Sequence, residues 1–237
     1  MIEESAVSNS SSKEHSIFKY LGIFTTAFCF GVAFAYIESS VVVYLREIYY
    51  PNGFRFPLNL VFCKIGVIEL GREAMTMVML YTVAFISGKS RYQRWSYFLF
   101  LFGVWDIFYY IWLKVFIDWP DSLFTWDILF LLPVPWTSPV FAVLTVACLI
   151  TIFGVIGIFM EYAGYRLKPK WYHWILAIGG SLIIYYSFTC DWKLIAKNGI
   201  PLYYPWWILF LGDYILFGTS LHIIHQSIKS KAQMIKI

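Results

Sequence analysis

Glu69, Arg72, Glu73 and Thr76 are spaced i, i+3, i+4 and i+7 in a largely apolar stretch of this 237-residue chain. On a helix that spacing gathers all four on one face. Carboxylates held away from water beside one arginine can carry a proton, hold a cation or meet a polar head group. Asp106, Tyr109 and Tyr110 form a shorter polar stripe, while Glu38 and Asp213 interrupt other apolar runs and Asp127 sits in a Pro-rich one. Glu69, Glu73 and Asp106 are therefore the candidates for proton transfer, and Arg72 for an anion clamp or an orienter of the acids. Glu38, Tyr109, Tyr110, Asp127 and Asp213 are expected to line the side where a substrate binds. A metal held by these acids would have an all-oxygen donor set, which suits Mg²⁺, Ca²⁺ or Mn²⁺ better than zinc or copper.

A second group lies elsewhere. His173 begins one apolar stretch and His222 and His225 end another, with Glu161 closing a third. His222 and His225, three residues apart, can share a helix face and with His173 form a weak candidate site for a transition metal. Interfacial histidines without a ligand are the plainer reading. Cys29, Cys63, Cys148 and Cys190 show no C-x-x-C spacing. They suggest neither zinc nor a redox pair, and leave only a Cys63–Cys190 disulfide as an option. Phosphate-loop, dinucleotide, zinc-protease and nucleophile-elbow motifs are all missing.

The elements that must position these side chains are membrane spans. Hydrophobic residues make up 60% of the chain and charged ones 14%, against about 25% charged in soluble domains. Crossing a bilayer takes ~20 apolar residues. Runs of that kind fall at about 20–45, 58–87, 95–115, 139–160, 171–190 and 202–228. Residues 123–137 are too short in apolar content to cross, and Pro133 and Pro135, with Pro139 beyond, forbid a regular helix. A re-entrant or interfacial segment is expected there, covered by protein or lining a wet cavity. Ala27, Gly31, Ala35 and Ser39 recur every fourth residue, a spacing that lets helices approach closely in lipid. The fold expected is an all-α integral membrane protein, a six-span helical bundle with one Pro-rich re-entrant segment. Residues 1–16 read as a disordered tail and 229–237 as a basic one.

Charge gives the orientation. With six spans and both termini cytoplasmic, eleven Lys and Arg fall in inner segments and four (Arg46, Arg55, Lys193 and Lys197) in outer loops, as positive residues on the inside require. A seventh span at 123–137 would break that asymmetry. The net charge of +4 thus reports topology; without a basic stripe it is no sign of nucleic acid. At ~1.5 Å of rise per residue, Glu38, Glu69, Asp106 and Asp213 come out ~10–16 Å below the outer ends of their spans. Four helices would then contribute to one layer.

Two readings of that layer compete. In one, Arg72 neutralises Glu69 or Glu73, and the other acids only fix helix packing. In the other, five acids around one internal base exceed what pairing needs, and the surplus serves a ligand or a proton. The second leads to a membrane protein that binds or modifies a lipidic or amphipathic molecule. A proton- or cation-coupled transporter and a non-catalytic subunit of a membrane complex are the alternatives. The partners expected are the lipid bilayer, a lipidic ligand or a second copy of the chain.

Overall fold

The computed structural model describes residues 2–50, 54, 64–131, 133–197, 199 and 201–235; side chains are described from residue 17, except those of 64, 65, 234 and 235. The helices are α1 (Ile2–Tyr49), α2 (Lys64–Ser87), α3 (Arg91–Ile117), α4 (Val140–Tyr162), α5 (Trp171–Thr189), α6 (Trp192–Ala196) and α7 (Trp206–Ile235). Two short strands, β1 (Trp126–Phe130) and β2 (Trp136–Pro139), lie between α3 and α4. α1, α3, α4, the α5–α6 stretch and α7 contain the five segments long and apolar enough to cross a membrane. α2, at 24 residues, has the length of a sixth span and carries the Glu69–Arg72–Glu73 group. The chain is a multi-pass helical membrane protein. Large apolar side chains turn outward along the bundle, Ile86, Trp171 and Tyr214 being about three-quarters exposed, which only a lipid surround makes favourable.

Small residues set the packing. α3 lies chiefly against α4 and α1, and α5 pairs with α7. Ala27, Ala35 and Ser39 are buried, and a Cβ on Gly31 would come within 2.9 Å of Val104 on α3. The four-residue stripe is thus the α1–α3 seam. Ser39 Oγ reaches the Tyr109 carbonyl at 3.0 Å, and the Trp112 indole donates to the Val32 carbonyl at 3.1 Å across it. Between α3 and α4 the approach is closer still. A Cβ at Gly154 would meet the Phe100 backbone nitrogen at 2.6 Å, and one at Gly103 the Ala147 carbonyl oxygen at 2.6 Å.

One end of the bundle gathers the basic turns. Ser90 Oγ caps α3 by accepting the Gln93 N–H, while Gln93 Oε1 accepts the Lys89 N–H, a capping-box variant. Glu161 at the end of α4 accepts from Ser90 Oγ and from the Leu167 N–H, tying the α2–α3 and α4–α5 turns together. The α1 helix is Ile2–Tyr49, and α7 runs on through Lys229 and Lys231.

The Pro-rich segment, expected to be re-entrant or interfacial, is a β-hairpin turned into the bundle. β1 and β2 pair antiparallel with Asp127 opposite Ser138, and the register slips between Ile128 and Phe130. Its tip reaches the interior, where Phe130 packs on Trp105 of α3 and Trp136 on Tyr185 of α5. Backbone groups at such depth need partners. The Leu131 N–H finds one in Glu73, whose two carboxylate oxygens lie at 3.0 and 3.1 Å. Cys63 lies outside the described residues; Cys190 is a free thiol directed at the Ser187 carbonyl.

Candidate functional site

A cavity of about 470 Å³ opens between the hairpin and the helices. α1 contributes Glu38, Val42, Arg46 and Tyr49, a single face at helical spacing. α2 contributes Glu69, Arg72 and Glu73; α3 contributes Phe102, Trp105, Asp106, Tyr109 and Tyr110; β1 brings Asp127. The far wall is apolar, with Val143, Val146 and Ile150 of α4, Ile184, Tyr185 and Phe188 of α5, and Leu216 of α7. One side of the cavity is charged and the other is hydrocarbon and aromatic.

The charged side holds two ion-pair groups. Arg72 bridges α1 and α2: its guanidinium pairs with Glu38 and with Glu69, its Nε lying 2.9 Å from Glu69 Oε2. Arg46 Nη2 lies 3.0 Å from Asp127 Oδ1, and Tyr110 donates its hydroxyl to Asp127 Oδ2 at 3.2 Å. The Arg46 guanidinium also stands 3.8 Å from the Trp119 ring centre and 4.4 Å from that of Phe54. Asp127 is 1% exposed, so this pair is closed to water and its geometry has to be good to offset desolvation.

Eight of the nine acids, bases and tyrosines singled out from sequence therefore line one cavity: Glu38, Glu69, Arg72, Glu73, Asp106, Tyr109, Tyr110 and Asp127. Asp213 does not. It approaches Thr145 on another side of the bundle, and its Oδ1 is buried without a hydrogen-bond partner among the described residues. Arg72 is ion-paired with Glu38 and Glu69, the arrangement expected of an orienter of carboxylates. Arg46, placed from sequence in an outer loop, is a second internal base. The continuous face Glu38–Val42–Arg46–Tyr49 was the signal for it, hidden by ending the first span at residue 45.

Among the described residues, to which the following pairings refer, five carboxyls and two guanidiniums line the cavity. Glu38, Glu69 and Asp127 have arginine partners, Glu73 has only a backbone N–H, and Asp106 has no hydrogen-bond or ion-pair partner. Among the described residues no three Asp, Glu, His or Cys side chains converge as metal ligands. In the carboxylate layer the Arg72 guanidinium stands between Glu38 and Glu69. Of the histidines, His173 accepts the Lys170 N–H at Nδ1 and meets His222 Nδ1 through Nε2 at 3.1 Å, which uses both its ring nitrogens. His225 is exposed and apart from that pair.

No protein-family model matches this chain, and neither the curated proteins nor the solved structures compared with it give a match. The class defined by fold and site is thus the multi-pass helical membrane protein with an internal amphipathic cavity.

Proposed function

We propose that this chain binds an amphipathic molecule in the cavity, tail against the α4–α5 wall and head among the carboxylates, and that the head group is cationic or rich in donors. The observation that carries the reading is Asp106, a half-buried carboxyl on the cavity wall with no hydrogen-bond or ion-pair partner among the described residues. A carboxylate in a largely apolar cavity is costly without a donor, and an amine or hydroxyl-bearing head would supply one. Glu73 lines the same cavity from α2 with one backbone donor, and the two are the groups able to give or take a proton from such a head. Glu69 and Glu38, held by Arg72, shape the wall. Both termini lie on the cytoplasmic side in this reading, from the excess of Lys and Arg at that end, and the cavity belongs to the outer half of the membrane.

The test is chemical. Protein extracted in mild detergent is treated with organic solvent, and the released molecules are identified by mass spectrometry. An amphiphile with an amine or polyol head should accompany the wild-type chain and be depleted with Asp106→Asn. Identical extracts from the two proteins would defeat the proposal. Proton- or cation-coupled transport is the second reading, favoured by the same unpartnered Asp106, since a carboxyl free to change its proton suits a relay. It requires gradient-driven flux in proteoliposomes that Asp106→Asn abolishes.

A further inference from the structure

A second hollow, of about 360 Å³, lies at the basic end, between the α4–α5 connection and the last turns of α7. Arg166, Lys168 and Lys170 line it from the connection and Lys229 from α7, with Ser230 and Gln226 between them. Among the described residues its lining contains no acid. We propose that it binds a phosphate-bearing anion, either the head group of an anionic phospholipid or a free phosphate.

Topology alone asks for basic residues at this end, but not for their convergence. Other cations here are occupied by the protein itself. Lys231 donates to the Ala163 carbonyl and sits over the Tyr165 ring. Arg94 donates to the Gly88 carbonyl and stacks on Phe85. Arg166, Lys168 and Lys229 have no such partner among the described residues, and Lys170 has only a distant contact with the Tyr172 ring, at 5.9 Å. The chain between α4 and α5 is built to present them: Leu167 turns inward onto Gly157, its N–H held by Glu161, while the basic residues on either side of it line the hollow. Four like charges around one space repel one another, and a multivalent anion relieves that repulsion. Lys ammonium groups bind phosphate as point charges, and basic pockets between helices at this level suit lipid head groups. The hollow is also wired to the interior, since Gln226 donates to Tyr172 Oη and contacts His222, which meets the buried His173.

The test uses the full chain in detergent. Its thermal midpoint is followed as short-chain phosphatidylglycerol, net-neutral phosphatidylcholine of the same tail length, or inorganic phosphate is titrated in. Stabilisation by phosphatidylglycerol alone identifies a lipid head group, and equal stabilisation by inorganic phosphate identifies a soluble anion. The Lys168→Gln/Lys170→Gln protein should need roughly tenfold more anion, whereas Arg91→Gln, which removes a charge from the same end outside the hollow, should respond as wild type. All three substituted residues are exposed, so folding is not at stake. Equal shifts with phosphatidylcholine and phosphatidylglycerol, no response to either anion, or a double variant that behaves like Arg91→Gln would overturn the proposal.

Discussion

Replacing Asp127 by Asn should destabilise the chain strongly, and replacing Arg46 as well should restore part of the loss. Asp127 accepts from Arg46 at 3.0 Å and from Tyr110 at 3.2 Å, and their side chains are 2% and 10% exposed for Asp127 and Arg46. Asparagine keeps the shape and an acceptor for Tyr110, so the main change is a guanidinium left without its counter-charge. Orphaning one member of a buried pair costs about 3–5 kcal/mol. Trp119 and Phe54 still face the cation and soften the loss, which points to the lower end, about 3 kcal/mol. For a chain of this length that is a fall of about 6–12 °C in Tm. Arg46→Met/Asp127→Asn removes the orphan, so its loss should be smaller than the sum of the single losses by about 2 kcal/mol. Thermal unfolding in detergent, followed by tryptophan fluorescence, reads all four corners of the cycle. A single variant within about 2 °C of wild type, or strictly additive losses, would refute the view that this pair holds the hairpin against α1.

Other substitutions test the packing and the hairpin. Gly154→Ala places a methyl 2.6 Å from the Phe100 nitrogen; a backbone atom cannot step aside, so α3 and α4 must part and about 1–3 kcal/mol is lost, seen as a lower Tm. Glu73→Gln retains an acceptor for the Leu131 N–H and should stay near wild type in Tm. Glu73→Leu orphans that N–H and should cost about 1–3 kcal/mol; equal behaviour of the two variants would remove Glu73 as the cap of the hairpin tip.

The sequence carried the helices and much of the site, for identifiable reasons. Glu69 and Arg72 share a helix face by spacing alone, and the rise per residue places Glu38 at a matching depth, so their meeting was legible. The Ala27–Gly31–Ala35–Ser39 stripe announced the α1–α3 seam in the same way. Asp213 shows where that logic ends. Depth follows from counting residues, but direction around the bundle depends on which helices are neighbours, and α7 packs on α5 with Asp213 turned to α4. The Pro133–Pro135 region was recognisable as non-helical, since proline forbids a regular helix, but the strand pairing of Asp127 with Ser138 depends on contacts that no local pattern encodes. Arg46 was missed because a charge at a span end looks solvated until aromatic rings and a carboxylate from 81 residues away close over it.

In the proposed reading Asp106 awaits a cationic or donor head group inside an apolar-walled cavity. Amphiphiles sharing one alkyl tail and differing only in head (primary amine, alcohol and sulfate) can be titrated against the wild-type chain and Asp106→Asn. A charge-assisted hydrogen bond is worth about 1.5–3 kcal/mol, so the wild type should bind the amine roughly tenfold or more tighter than the alcohol, with the sulfate weakest, and Asp106→Asn should lose most of that preference. Tighter binding of the sulfate, or an amine preference unchanged in Asp106→Asn, would contradict it.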